Sequence, residues 1–600
     1  MIETPRKLHS ILDPGDRRKA LLLIALMVVN AFAQTLAIAS VMPFLAVVGN
    51  PSIIETNAWL QLAYVNLGFE DTRSFLFFLG LVSAVLFIGG IALQAFSQWV
   101  ITRFSFTQQY KLSKRLMGDY LQRPYAFFLN RNSGDLAKTV LQETNHAVNH
   151  ALLPAMRLLS FGLTAAAIIV LLILVHPWLA LTVAAVLGST YAVIYIVSRA
   201  WLNRIGQDRV KANRERFTAA AEAFAGAKEI RLLGREQSYL ERFKDPSRRF
   251  ANHQANSSLL ENMPQYGIEA IAFGGILVLV LFLLGGEGGL GQALPLIGLY
   301  GLAGKQLIPA FHKIFGAAAS IRFSIASVDA VLDDLGSRPG STPLPTAGDW
   351  PQPLHPQQAI ALEHVSYRYP GADRDALQDL DVRIPARNTV GFIGSSGAGK
   401  STLIDIVLGL LDPDSGRVLI DDQPLGRDNM RGWQAALGYV PQHIFLADQT
   451  VAENIALGLP PGQLDMQAVI RAAEMANLHD FVIRDLPEGY ETIIGERGVR
   501  LSGGQRQRIG IARALYRDPS VLLFDEATSA LDNATEHAVM EAIYRLSSEK
   551  TIILVAHRLS TVRACNRIYV LAQGRVVEEG TWEELANEGE HFRRLAVGEA

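Results

Sequence analysis

A single cysteine, Cys565, stands in 600 residues, so the chain holds neither an internal disulfide framework nor a multi-cysteine metal site. An excess of charge of either sign is also missing. Lysine and arginine number 55 against 57 aspartate and glutamate, whereas a protein that neutralises many nucleic-acid phosphates would be basic. The start, Met1 to Lys19, is polar and charged and lacks a small-residue cleavage site, which predicts no removable signal peptide. Apolar residues, by contrast, are abundant: half the chain is hydrophobic and mean hydropathy is positive, more than the charged surface of a soluble enzyme allows. At 600 residues the chain exceeds one hydrophobic core, so two or more domains are expected.

The apolar excess lies in the first 330 residues. Crossing a bilayer takes about 20 apolar residues, and six runs meet that length, roughly 20 to 48, 75 to 101, 154 to 176, 178 to 198, 264 to 285 and 291 to 315. The third and fourth meet at the corner His176-Pro177. Buried helices of a large soluble domain are the alternative, and the charge between the runs argues against it. Arg103, Lys111, Lys114, Arg115, Arg123, Arg131 and Lys138 crowd one connection and Arg199 to Arg249 is richer still, while the opposite connections, including Gly285 to Leu290, are nearly bare. By the positive-inside rule both basic segments and both termini are cytoplasmic.

Helix formers dominate Phe104 to Gln122 and Ala200 to Glu241, so these segments are expected to continue the spans as helices into the cytoplasm. Each is punctuated once, at Arg123-Pro124-Tyr125-Ala126-Phe127-Phe128 and around Gly226 to Gly234. Proline opens a short transverse helix at the first of these, and the apolar content of both suggests docking on a partner domain. Before the spans, Arg6 to Lys19 alternates basic and apolar residues, which suits an interfacial elbow helix over residues 1–19, with a disordered polar tail as the alternative. Residues 20–335 form the transmembrane domain, 336–356 a Pro-, Gly- and Ser-rich linker, and 357–600 a soluble domain.

From Leu362 onward short β-branched strands alternate with helices, the pattern of an α/β fold. Thr389 to Ile393 reads as a strand and Thr402 to Leu411 as a helix; between them Gly394, Ser395, Ser396, Gly397, Ala398, Gly399, Lys400 and Ser401 match the P-loop pattern. There the glycines turn backbone N–H groups onto phosphate oxygens, the helix N-terminus adds positive potential, Lys400 reaches the β- and γ-phosphates of ATP, and Ser401 ligates Mg2+. A second strand, Val521 to Phe524, delivers Asp525 and Glu526 at its carboxyl end, where α/β ligands bind. Asp525 is expected to hold Mg2+ through water and Glu526 to polarise the attacking water. Small residues Ser502, Gly503 and Gly504 precede a helix and offer a second set of anion donors. A second anion site in one ATPase is redundant unless it completes the site of another subunit. Two ATP molecules would then join two modules and their hydrolysis would part them, a bistable element that can drive a conformational change.

With Gly394 to Ser401, Gln442, Leu501 to Gln505, Asp525-Glu526, Ser529 to Asp532 and His557 in this order, the chain resembles the ABC transporter superfamily. The resemblance implies that Tyr369 stacks on adenine, with Thr402 also at the nucleotide, and that Gln442 links Mg2+ to the membrane domain. It implies further that Ser502, Gly503, Gly504 and Gln505 meet the nucleotide of the other protomer, that Asp532 crosses the seam, that His557 positions the γ-phosphate, and that Glu496 touches the transverse helices. Both half-sites are represented, so a homodimer with twelve spans is expected. The fold class is a multidomain membrane protein: an N-terminal all-α six-helix transmembrane domain with long cytoplasmic extensions, then an α/β P-loop ATPase domain with a helical subdomain.

Six spans followed by the ATPase resemble the exporters rather than the importers. Val41-Met42-Pro43-Phe44, Met263-Pro264 followed by Glu269, and Lys305 followed by Pro309 look similar to the bacterial lipid-linked oligosaccharide flippases. That family implies arginines in the cavity facing a pyrophosphate. Here Gln265 follows Pro264, Gly89-Gly90 occupy mid span two, and Lys305 alone keeps a positive charge. Counted from the outer ends of their spans, Lys305 lies about 21 Å, Glu269 about 24 Å and Arg157 about 28 Å deep. Lys305 and Glu269 therefore form either a structural ion pair or part of an anionic headgroup site, Arg157 snorkels to the interface, and Gln34, Gln94 and Gln98 bond between helices. The outer loop Asn50 to Arg73, with Trp59, Leu62 and Val65, suits a short interfacial helix. The expected activity is ATP-driven export of a polyprenyl-pyrophosphate-linked oligosaccharide across the bacterial cytoplasmic membrane by a homodimer with ATP and Mg2+. Multidrug or lipid A type export is the alternative; a peptide exporter and a soluble ABC ATPase are further rivals.

Overall fold

The computed structural model describes residues 3–129, 131–284, 289–336, 351–495, 498–526, 533–556 and 558–598. Contacts divide the chain into two compact units, Met1–Arg123 with Asn130–Thr342, and Pro124–Leu129 with Pro343–Ala600. Most of the linker 336–356 lies outside the described residues, as do Glu496, Ser529 to Asp532 and His557.

The first unit is helical. Its main elements are α1 (Glu3–Ile11), α2 (Pro14–Gly49), α3 (Thr72–Leu121), α4 (Leu153–Val175), α5 (Pro177–Ala225), α6 (Glu236–Leu284) and α7 (Gly289–Gly336). At 1.5 Å per residue the 50 residues of α3 reach about 75 Å, far beyond a bilayer core of about 30 Å, so the basic half of this helix extends out of the membrane as its composition predicts. Among the described residues four helices are long and apolar enough to cross, Pro14–Gly49, Thr72–Leu121, Gly134–Val175 and Gly298–Gly336. Six were expected; the runs 178 to 198 and 264 to 285 fall within α5 and α6, whose side chains are described only in part. The surface supports a membrane environment. Phe77, Ile88 and Leu174 are each about 70% exposed or more, an apolar face that water penalises and lipid does not.

Between the helices, polar side chains serve as expected at two of three glutamines. Gln34 Nε2 donates to Gly90 O at 2.7 Å and to Gln94 Oε1 at 3.4 Å, and Gln306 Nε2 donates to Gln34 Oε1 at 2.6 Å. Gln98 Nε2 is buried without a hydrogen-bond partner among the described residues, where an interhelical bond was expected. The ion pair proposed between Glu269 and Lys305 is not formed: Glu269 accepts from Gln265 Nε2 at 2.7 Å, and Lys305 is exposed. Deeper in the unit, Glu143 accepts from Arg209 Nη2 at 3.2 Å and Asn213 Nδ2 at 3.1 Å. That buried pair sits where the helix leading into α4 twice loosens to π geometry, at Thr139–Glu143 and Val148–Leu152. At the start of the chain α1 is a formed helix tied to α7 by Lys7 and Asp329 at 2.7 Å rather than a disordered tail. In the outer loop Ala58–Asn66 is a helix capped by Asn57, with Trp59 exposed.

The second unit holds two sheets. An antiparallel sheet runs in the order β2 (Leu377–Pro385), β1 (Ala359–Tyr367), β4 (Ser415–Ile420), β5 (Gln423–Pro424). The larger sheet runs β10 (Arg575–Gly580), β9 (Arg567–Ala572), β3 (Thr389–Gly394), β8 (Thr551–Val555), β7 (Val521–Asp525), β6 (Leu437–Val440), parallel except for the β10 edge. Every residue of β3, β7 and β8 is buried, as strands covered on both faces require. Helices Met466–Met475, His479–Asp485 and Gly503–Leu515 gather on a shared apolar core and form the helical subdomain. The short helix Tyr125–Leu129 belongs to this unit, with Ala126 against its core.

Candidate active site

β3 ends at Gly394 and helix α8 (Lys400–Val407) opens at Lys400, so residues 395–399 form the turn between strand and helix. Gly397 and Gly399 take φ of +79° and +102°, a region side chains avoid. At Gly399 a Cβ would meet Ala376 O at 2.7 Å and Leu377 Cδ2 at 2.8 Å, so the loop has no room for another residue. The turn leaves the first N–H groups of α8 without intrahelical acceptors, the property that binds phosphate. Lys400 is buried, and its ammonium donates to Gly394 O at 2.7 Å and Ser395 O at 3.1 Å. Burial lowers its pKa, while the carboxylates of Glu526 and Asp525 oppose the shift. Ser401 is exposed beside it. Thr402 and Tyr369 place their hydroxyl oxygens 3.1 Å apart, and Tyr369 meets Tyr367 edge to face at 5.1 Å, which sets Tyr369 next to the phosphate-loop helix.

β7 carries Asp525 to its carboxyl end, 8% exposed. Glu526 then leaves the strand at φ +51°, a left-handed conformation that costs a non-glycine residue about 1 kcal/mol or more. Its N–H holds Val555 O at 3.0 Å, and its carboxylate accepts from Gln442 Nε2 at 2.5 Å. Gln442 stands two residues past β6. Lys400, Gln442, Asp525 and Glu526 therefore meet at the carboxyl ends of β3, β6 and β7, the edge where parallel sheets place their ligands.

Ser502 caps helix α9 (Gly503–Leu515): Gln505 N donates to Ser502 Oγ at 3.3 Å and Ser502 N donates to Gln505 Oε1 at 2.8 Å. This capping box leaves the N–H groups of Gly503 and Gly504 at the open helix end. The side chain of Gln505 is engaged in the cap, so its expected contact with nucleotide has a competing structural account. Among the described residues no hydrogen bond joins Ser502 to Gln505 with Gly394 to Ser401. Asp532 and His557 lie outside the described residues.

Two further residues bear on the site and carried no motif signal. Asp405, in the second turn of α8, is pushed up to about 6 by burial and by neighbouring Asp525. Arg513, lowered to about 10 by burial, donates to Asn454 O and Phe445 O, each at 2.8 Å. It thereby ties α9 to the segment that follows Gln442.

Known proteins match this architecture. The family model described as ABC transporter transmembrane region covers residues 19–287, and the model described as ABC transporter covers 377–529. An ATP-dependent lipid A-core flippase of Cupriavidus metallidurans is 31% identical over 84% of both chains. A Bacillus subtilis protein named for multidrug export is 28% identical over 84% of this chain and 85% of its own. Among solved structures, a bacterial Atm1-family ABC exporter with ATP bound superposes with a TM-score of 0.79, 24% identity and coverage of 98% and 99%, which establishes the shared fold. The chain belongs to the ABC transporter family. Within that family it is a membrane-spanning exporter or flippase with a nucleotide-binding ATPase domain that couples ATP hydrolysis to transport.

Proposed function

We propose that two copies of this chain form an ATP-driven exporter of amphipathic lipids in the bacterial cytoplasmic membrane. The observation that supports the dimer is the second open helix end, at Gly503 and Gly504, which no hydrogen bond among the described residues joins to the phosphate loop. Each ATP lies between the phosphate loop of one copy and Ser502, Gly503 and Gly504 of the other. Glu526 orients and deprotonates the attacking water, Gln442 reports nucleotide state, and His557 and Asp532 complete the site. Tyr369 stacks on the base. Ser401, Asp525 and the amide oxygen of Gln442 are hard oxygen donors that suit Mg2+, and the ion supplies charge neutralisation of the phosphates. The domain plan of residues 1–19, 20–335, 336–356 and 357–600 is retained.

For the cargo, the names of the full-length relatives support a lipid A type or multidrug amphipath ahead of the polyprenyl-pyrophosphate-linked glycan first expected from short membrane motifs. Those motifs occupy few residues, whereas the relatives align across both domains. Lys305, exposed and without an acidic partner among the described residues, is a contact for an anionic group. Vesicles containing the purified protein test the reading through ATP-dependent movement of labelled lipid A, a labelled polyprenyl-pyrophosphate glycan and a fluorescent drug, side by side. Movement of the glycan alone would reverse the order of cargo, and full hydrolysis by a strict monomer would sink the shared site.

A further inference from the structure

In the second unit the antiparallel ladder between β1 and β2 is interrupted, with a register shift between the pairs Leu362–Val382 and Val365–Leu380. At the break His364 and Asp379 take φ of +50° and +47°, left-handed conformations that cost a residue with a side chain. The irregularity turns three side chains to one point. Among the described residues His364, Asp379 and Asp381 form a group whose ring nitrogen and carboxylate oxygens all lie within 4.8 Å of one another. His364 Nδ1 is 2.9 Å from Asp379 Oδ1 and 3.4 Å from Asp381 Oδ2. The backbone fixes this arrangement: His364 N donates to Asp381 Oδ1 at 2.9 Å, which leaves Oδ2 for the shared point, and Asp379 N donates to Ser366 Oγ at 2.9 Å. Neither aspartate pairs with a lysine or arginine among the described residues. Both also line a groove of about 710 Å3 whose walls carry five carboxylates against three arginines, a field that draws cations.

We propose that His364, Asp379 and Asp381 bind a first-row divalent transition cation of the Zn2+ type. One ring nitrogen and two carboxylate oxygens make a donor set that such ions accept, whereas Mg2+ and Ca2+ take oxygen. Bonds of about 2.0–2.2 Å to these donors set ligand atoms about 3.3 Å apart around a tetrahedral ion, and the separations of 2.9 and 3.4 Å bracket that spacing. The cation replaces the proton between Nδ1 and the carboxylates, and that proton leaves to solvent. Without metal, the imidazole keeps its hydrogen bond to Asp379. The remaining coordination positions belong to water, since all three side chains are more than half exposed. A bound ion pins β1 to β2 where the ladder between them is broken, and so acts as a clasp on the antiparallel sheet. No residue of this site belongs to the nucleotide cluster or to the membrane unit.

Calorimetric titration of Zn2+ into the full-length protein in nanodiscs, untagged, stripped of metal and free of nucleotide, tests this beside the visible absorption of Co2+. The parent takes up an ion that millimolar Mg2+ does not displace. His364→Asn keeps a residue that tolerates positive φ but removes the ring nitrogen, and Asp381→Asn keeps the shape of the carboxylate. Each weakens Zn2+ binding by at least about tenfold, a loss that removal of a mere outer partner of a metal ligand already produces. His591→Gln, at an exposed histidine elsewhere on the unit, leaves binding unchanged. Saturating Zn2+ raises the melting temperature of the parent, and this increment is lost in both site variants. ATP hydrolysis at the parent rate shows that the variants are folded, and Asp379→Asn replaces either one that fails this check. A Co2+ band that vanishes with His364 supports the nitrogen ligand directly. Zn2+ affinity indifferent to these substitutions, displacement by Mg2+, or no uptake in the micromolar range overturns the site and leaves His364 as a hydrogen-bond partner of Asp379 alone.

Discussion

The ATPase unit and the membrane unit solve opposite problems. In the first, chemistry is fixed by residues adjacent in sequence: the turn from Gly394 to Lys400 needs left-handed glycines and a helix start, and only a few residue patterns supply both. In the second, a polar cavity is assembled from Gln98, Arg157, Glu261 and Lys313, single residues on four helices, each flanked by ordinary span or extension sequence. The lesson is that motif density follows how local the required geometry is, not how much the function depends on it.

The contrast can be broken or sharpened experimentally. The largest effect is expected at Glu526→Gln, where removing the base lowers phosphate release by about 10²- to 10⁴-fold while ATP binding and the closed dimer persist; near-normal release would contradict the assignment. Next comes Lys305→Ala, expected to lower lipid transport in vesicles several-fold and by more than it lowers hydrolysis. Transport at the parent rate would mark this lysine as a bystander. Gln505→Ala separates the cap from the nucleotide contact. Loss of the reciprocal bond to Ser502 N costs about 0.5–1 kcal/mol of stability, read in thermal unfolding, and if capping is the main role of Gln505 then hydrolysis falls less than in Ser502→Ala. An equal fall would restore Gln505 to the nucleotide site. The smallest effect is at His364, whose imidazole pKa is raised by the hydrogen bond to Asp379 and the charge of Asp381. Because the folded value lies above the unfolded one, the stabilisation is present below the ordinary 6.5 and is lost as pH rises through the raised value. The gap in melting temperature between parent and His364→Gln should therefore be visible near pH 6 and gone near pH 9; a gap that widens with pH would reverse the sign.

Legibility in the sequence divided along the same line. The P-loop strand, turn and helix, the acidic pair after Val521 to Phe524, and the helix after Ser502 were readable because each is a short run whose periodicity and glycine placement leave few alternatives. Gln442 was named by resemblance, and only the sheet order shows why it reaches Glu526: β6 lies beside β7 although more than 80 residues separate them. In the membrane unit the sequence left alternatives open for a physical reason. Depth along a helix can be counted from sequence, but rotation about the helix axis cannot, so equal depth allowed Glu269 and Lys305 either an ion pair or a shared headgroup site, and among the described residues no salt bridge joins them. Arg157 was assigned to the interface, and Lys313 was passed over at the end of an apolar run; packing of α3, α4, α6 and α7 turns both toward one cavity.

By itself the amino-acid sequence determined that apolar helices precede a nucleotide-binding α/β domain, and where its strand-to-helix loop lies, because hydrophobic length, helix starts and left-handed glycines are local requirements. Tertiary structure alone decided that Gln505 caps its own helix, that Arg513 ties α9 to the segment beyond Gln442, and that Arg157 and Lys313 line one cavity. These are relations between surfaces distant in the chain, set by how helices rotate and pack, and no single segment encodes them.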